Sequence, residues 1–211
     1  MSSQQRSNGT ERAAPGRAAS RAVRAVFAGL VMLGSSVASR RADAALTAYE
    51  VHGEKIVSDS TLNVTWADVA SPTDLTWSAA GNPGSAQAWV AALNARGFGG
   101  FHDWALPSGD GGFTTGGGSG GYGNGASTSG TRNQLGFLWI NELGNTPGQM
   151  PGNLGPFTSL RKLYEYWSSS TYAGAASSSW AFDTPKGLLI NHNQSRRFAV
   201  LAVRSGSFQP P

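Results

Sequence analysis

Two stretches of the chain space their apolar residues as a helix does, and most of the remaining apolar residues alternate with polar ones as in strands. Ala86, Trp89, Val90 and Leu93 fall at i, i+3, i+4 and i+7, which places one apolar stripe on a helix over Ser85–Ala95. Ser85 has the oxygen an N-cap needs, and Gly97 stands where a helix stops. Leu135, Leu138, Trp139 and Leu143 form a second stripe, closed by Gly144-Asn145. Leu46–Val57 alternates in the manner of strands, and Ser58–Asn63 is a polar turn before Val64-Thr65-Trp66. Asp103-Trp104-Ala105-Leu106-Pro107 reads as a short extended segment that ends at proline. Tyr164–Ser170, Trp180–Asp183, Gly187–Asn191 and Phe198–Arg204 read as four short strands with turn residues between them. The order is strands, helix, loop, helix, strands, an α+β pattern and not an alternating βαβ one.

Between the two helices, residues 108–130 are almost all Gly, Ser and Thr. Such a segment cannot bury enough apolar surface to pack, so it is expected as a long surface loop. The 29 Gly among 211 residues, with only 13% charged side chains, point the same way: many turns, long loops and few long helices.

Charge changes the picture only once it is located. The formal net charge is +4, but residues 1–44 carry seven arginines against Glu11 and Asp43, a net of +5. The remainder holds nine basic and ten acidic side chains, a net of −1. The basicity belongs to the leader, so an extended phosphate-binding surface, and with it a nucleic-acid partner, is not expected. Ala25–Ala38 is a short apolar run behind Arg17, Arg21 and Arg24, too short to span a bilayer comfortably and of the length of a signal-peptide core. Ala42-Asp43-Ala44 then offers a small-residue cleavage site before Ala45, with Ala38/Ser39 as the other option. Arg40-Arg41 follows the apolar run, where a twin-arginine signal would have it in front. The expected organisation is a leader over 1–44, one domain over 45–206 and a tail over 207–211. Its expected destination is secreted or periplasmic, with no membrane span once the leader is removed.

The chain has no cysteine, which excludes thiol nucleophiles, thiolate zinc sites and disulfide staples together. Gly117-Gly118-Ser119-Gly120-Gly121 fits a nucleophile elbow in spelling, and Gly116, Gly118 and Gly121 fit a dinucleotide loop. Each of those motifs works only between a strand and a helix, and a glycine run matches them without that setting. His52, His102 and His192 show no paired spacing for a metal. The surroundings of Asp110 lack the spaced acidic ligands of a calcium loop. No metal and no cofactor are expected. Asp103, Glu142 and Asp183 sit among aromatics and could serve as acid and base if two of them met at glycosidase separation; the alternative is that they hold turns. Arg161-Lys162 and Arg196-Arg197 are the positive pairs left outside the leader. They could grip an acidic polymer or simply be solvated.

Asn63-Val64-Thr65-Trp66, Leu75-Thr76-Trp77, Leu93-Asn94, Phe98-Gly99-Gly100-Phe101 and Asp103-Trp104-Ala105-Leu106-Pro107 occur in that order. Asn141–Asn145, Gly155-Pro156-Phe157, Tyr166–Ser170, Trp180–Asp183 and Ala202-Val203-Arg204 follow them. This succession, over about residues 46–206, resembles the Lcl C-terminal domain family, the end domain of a collagen-like bacterial adhesin. That family is similar to the C-type-lectin-like fold and to formylglycine-generating, sulfatase-modifying domains. The resemblance implies a C-type-lectin-like α+β domain with two helices, short antiparallel strands, paired N- and C-terminal strands and long ligand-bearing loops. It implies binding without catalysis, of a glycan or glycosaminoglycan-like polymer. Trp66, Trp104, Glu142, Trp167, Trp180, Asp183 and Arg204 are its structural motif residues in this chain. Where the family usually has Arg in D-W-R-L-P, this chain has Ala105, so a contact made there is lost. The family's C-terminal sorting tail is not matched by Gly206–Pro211, which implies release. With no cysteine, the copper chemistry of the formylglycine-generating relatives is not expected.

The leading expectation is an exported, non-catalytic binding domain for carbohydrate or an acidic cell-surface polymer. Tyr122, Tyr172, Arg161, Lys162, Arg196 and Arg197 are its candidate contacts. The rival expectations are a secreted hydrolase using Asp103, Glu142 or Asp183, and a structural protein of the envelope or matrix.

Overall fold

His52-Gly53 forms a two-residue turn between Leu46–Val51 (β1) and Glu54–Asp59 (β2), with φ of 52° and 77°. Positive φ at both central positions gives a turn whose twist matches that of the paired strands. The computed structural model describes residues 46–78, 82–109 and 133–211. The leader, its cleavage site, Asp110, Tyr122 and all but the first two residues of the 108–130 segment therefore lie outside the described residues.

β2 pairs antiparallel with Val64–Ala67 (β3), and the turn between them is held by the Asp59 carboxylate, which accepts from Leu62 N at 2.9 Å. Ala86–Ala95 (α1) follows, with Ser85 Oγ accepting from Ala88 N at 3.1 Å as the N-cap. Gly97, at φ 64°, takes the left-handed position after the helix, which a residue with a Cβ adopts at a cost.

The second apolar stripe differs from the expectation. Gln134–Gly136 (α2) makes one α turn and Phe137–Glu142 continues it as a π-helix, with Leu143 N donating to Leu138 O at 2.9 Å. The wider turn brings Leu135, Leu138, Trp139 and Leu143 into one buried cluster despite the five-residue step from 138 to 143.

Glu165–Thr171 (β4), Ser178–Asp183 (β5) and Leu188–Asn193 (β6) form a second antiparallel sheet in that order. Of the stretch expected as a fourth strand, only Val203–Ser205 (β7) joins a ladder, and it pairs with β3. The first sheet therefore runs β1-β2-β3-β7: the C-terminal strand shares the N-terminal sheet but does not touch β1. The preceding residues act as single bridges, Phe198 to Leu75, Ala199 to Tyr166, because they cross from one sheet to the other.

That crossing organises the core. Ala199, Leu201 and Val203 face one apolar cluster, with Trp66, Tyr166, Trp180, Phe182 and the π-helix. Val200 and Ala202 face another, with Ile56, Val90, Leu93, Phe98, Trp104 and Trp167. Alternation at period two with both faces buried puts this segment between two clusters. Trp139 lies in the core, whereas Trp89 is half-buried at the edge of the second cluster. The segment set apart as a tail also packs: Phe208 meets Tyr49 at 5.0 Å and Phe101 at 6.2 Å between ring centroids. The result is a mixed α+β fold with two antiparallel sheets, and no helix among the described residues is long and apolar enough to cross a membrane.

Candidate functional site

Asp74, before α1, draws together one arginine from each of the two basic pairs, which are 35 residues apart in sequence. Arg161 Nη1 donates to Asp74 Oδ1 at 2.6 Å, and Arg197 Nε donates to Asp74 O at 3.0 Å. The Arg161 guanidinium also lies 3.3 Å from the centroid of the Tyr164 ring. Burial works against the Arg161 charge, but its bonds to Tyr164 and Asp74 outweigh that and raise its pKa further. The Asp74 carboxylate meets the Arg161 guanidinium, whereas the Arg197 guanidinium is held by the Asp74 backbone carbonyl.

The turn that carries Arg161 and Lys162 is fixed from below. Tyr166 Oη accepts from Arg161 N at 2.6 Å, and burial pushes the Tyr166 hydroxyl up to about 12. Thr184 Oγ1 accepts from Tyr164 N and donates toward Lys162 O at 2.7 Å. Lys162 Nζ reaches Gly152 O at 3.3 Å, and Arg196 and Arg197 stay exposed on the turn after β6. Arg161 and Arg197 thus come together at Asp74, while Lys162 turns to the loop of Gly152. Tyr172 packs edge-on against Trp180 at 5.3 Å as part of the core margin. Neither Asp74 nor Tyr164 was singled out by sequence reasoning. The only available signal was that Leu163-Tyr164 follows the basic pair, and nothing in Pro72-Thr73-Asp74 announces its partners.

The three carboxylates considered for acid–base work have separate partners. Asp103, more than half exposed, accepts from Arg204 Nε at 2.7 Å, and that bond holds its carboxyl below the usual range. Arg204 also lies 4.0 Å from the centroid of Phe101. Ala105 is bridged through its backbone to Val203. Asp183 is buried and accepts from Lys186 N and Nζ at 2.9 and 2.7 Å. Glu142 lies near Asp59; burial and then the Asp59 charge raise its carboxyl. Each carboxylate has its own electrostatic neighbours, and the other two are not among them.

Four indole N–H groups tie separate segments together. Trp66 Nε1 donates to Asp59 Oδ2 at 3.2 Å and Trp104 Nε1 to Phe98 O at 3.0 Å. Trp167 Nε1 donates to Leu75 O and Trp77 Nε1 to Ser168 O, both at 2.7 Å. A cavity of about 10 Å³ among Leu135, Leu138, Trp139, Leu160, Tyr166, Phe182 and neighbours has room for at most one water, so it is a packing gap. Among the described residues no three His, Asp or Glu side chains come together to hold a metal ion. His192 Nε2 lies 2.6 Å from Glu165 Oε2.

No family model, no curated protein and no solved structure matches the chain.

Proposed function

We propose that the chain is an exported, non-catalytic binding protein of C-type-lectin-like architecture, close to the Lcl C-terminal type, and that it holds an acidic carbohydrate polymer. One observation carries this: Arg161 and Arg197, from opposite ends of the second sheet's sequence, converge on Asp74. In a domain of net charge −1, two guanidinium groups brought to one residue give a local site for an anion. Guanidinium forks suit sulfate and carboxylate groups, and Tyr164, 38% exposed, offers a ring edge for a sugar. The sheet pairing of N-terminal and C-terminal segments, two helical segments and a second sheet of three strands supports the lectin-like reading. The leader's arginines, apolar run and small-residue site support export. The separate partners of Asp103, Glu142 and Asp183 favour binding over hydrolysis.

The test is titration with dextran sulfate and with neutral dextran, backed by a glycan array. Binding should be selective for the sulfated polymer and should weaken as salt rises. Arg161→Ala and Arg197→Ala should each weaken it about tenfold, the size of a charge-assisted hydrogen-bond pair. Failure to bind any sulfated, carboxylated or neutral glycan would sink the reading.

A further inference from the structure

Among the described residues three large apolar side chains stand exposed: Met150 at 77%, Leu163 at 54% and Tyr164 at 38%. Single exposed apolar residues need no explanation, but these three stand on loops that are tied to one another. Met150 lies in the loop after the π-helix, Leu163 and Tyr164 in the turn before β4. Lys162 Nζ to Gly152 O ties the first loop to the second. Thr184 ties the second to the β5–β6 turn, and Gly148 N, donating to Pro185 O at 3.1 Å, ties that turn back to the first. The three loops form a closed ring of contacts, so the apolar tips are presented from a supported surface.

The ring is also cationic. Lys162 is exposed and Lys186, paired with Asp183, keeps 61% of its side chain in solvent. Arg161 and Arg197 approach from Asp74. Four cations, Arg161, Lys162, Lys186 and Arg197, stand here against Asp74, Asp183 and Glu165. A soluble polyanion would satisfy the cations and leave Leu163 and Met150 in water. An anionic lipid bilayer satisfies both, because apolar tips enter the headgroup boundary while flanking Lys and Arg meet the phosphates.

We propose that the loops carrying Met150, Leu163 and Tyr164 dock on an anionic lipid surface. The assignment shares its cations and Tyr164 with the polymer reading, and Leu163 and Met150, which a polymer has no use for, are what separate the two.

The chain has no cysteine, so a single introduced cysteine labels one site in the full-length protein. Leu163→Cys, Met150→Cys and, as a control on the exposed face of β1, Thr47→Cys would each carry an environment-sensitive fluorophore. Each would be mixed with vesicles of phosphatidylcholine with and without phosphatidylglycerol. The expected result is a blue shift at positions 163 and 150 on the anionic vesicles alone, with position 47 unmoved. Lys162→Ala should weaken that shift about fivefold in vesicle concentration, the contribution of one cation at an anionic surface. Protein brought to the vesicles by its leader with the 163 and 150 labels unmoved would overturn the proposal. So would equal shifts with dextran sulfate, which would assign the loops to a polyanion.

Discussion

Asp68 and Asp59 are both withdrawn from solvent, and their surroundings push them in opposite directions. Burial alone would raise Asp68, but the hydroxyls and backbone N–H groups of Ser159 and Thr158 together outweigh it and hold the carboxyl low. Lys55 Nζ adds a contact at 3.1 Å. Its stabilising effect is present above the ordinary carboxylate range and is lost as pH falls through the lowered folded value. For Asp59, burial outweighs the bonds from Leu62, Trp66 and Thr61, and the carboxyl is raised. Glu142, raised by burial and by Asp59, shares that sense. The stability these two contribute is full below the ordinary value near pH 4 and is lost as pH rises through their raised folded values. Glu142→Gln cannot ionise, keeps an acceptor for Thr61 and removes the repulsion on Asp59. Its melting temperature should therefore gain on the parent's as pH rises from about 4 to 7. Thermal melts across that range measure the difference, and one that stays flat or shrinks would refute the coupling. These carboxylates were visible in the sequence as residues; their partners, 90 positions away for Asp68, were not.

Elements were legible where a local rule sufficed. Ser85 before the apolar stripe and Gly97 after it mark α1 because capping is decided within a few residues. The π-helix was not legible, since its stripe resembles an α stripe until the step from Leu138 to Leu143 is asked to close a turn. The strand ending at Arg204 was overdrawn for a related reason. Its alternation is real, but a strand pattern does not say whether a ladder or a set of single bridges will satisfy the backbone. The candidate site depends on contacts longer still, such as those gathering at Asp74. The two indole bonds between the Leu75–Trp77 segment and β4 are the clearest instance. Trp167 donates to Leu75 O while Trp77 donates to Ser168 O, so two tryptophans sew one loop to the second sheet from both sides. Trp167→Phe keeps a ring against Phe198, 4.7 Å away, but loses the indole bond and leaves a gap. A loss of about 2 kcal/mol is expected in urea unfolding. A loss under about 0.5 kcal/mol, within the ordinary range of a surface substitution, would mean the bond is incidental.

At the scale of the molecule, the segment from Phe198 to Phe208 performs three tasks that the pattern of residues had divided between a strand and a tail. It bridges to β4, completes the first sheet beside β3, and then returns across that sheet's far face. There Thr65 Oγ1 donates to Gly206 O at 2.7 Å and Ser58 Oγ to Phe208 O at 3.0 Å. Phe208 then closes an aromatic set with Tyr49 and Phe101, and Phe101 lies beneath Arg204 and beside Trp104. The last residues therefore join β1 to the segment after α1, two parts of the fold linked by no strand ladder. If this is a structural clasp, Phe208→Ala should cost about 2 kcal/mol, less than a fully buried Phe because the ring is half-exposed. The same change should leave dextran sulfate affinity and the labels at 163 and 150 unaltered, since both depend on loops tied to the second sheet. Urea unfolding with the two binding assays on one sample separates the outcomes. Unchanged stability would make the segment a tail after all. Weakened binding at undiminished stability would mean that the clasp and the basic face are coupled, against the separation of the two clusters.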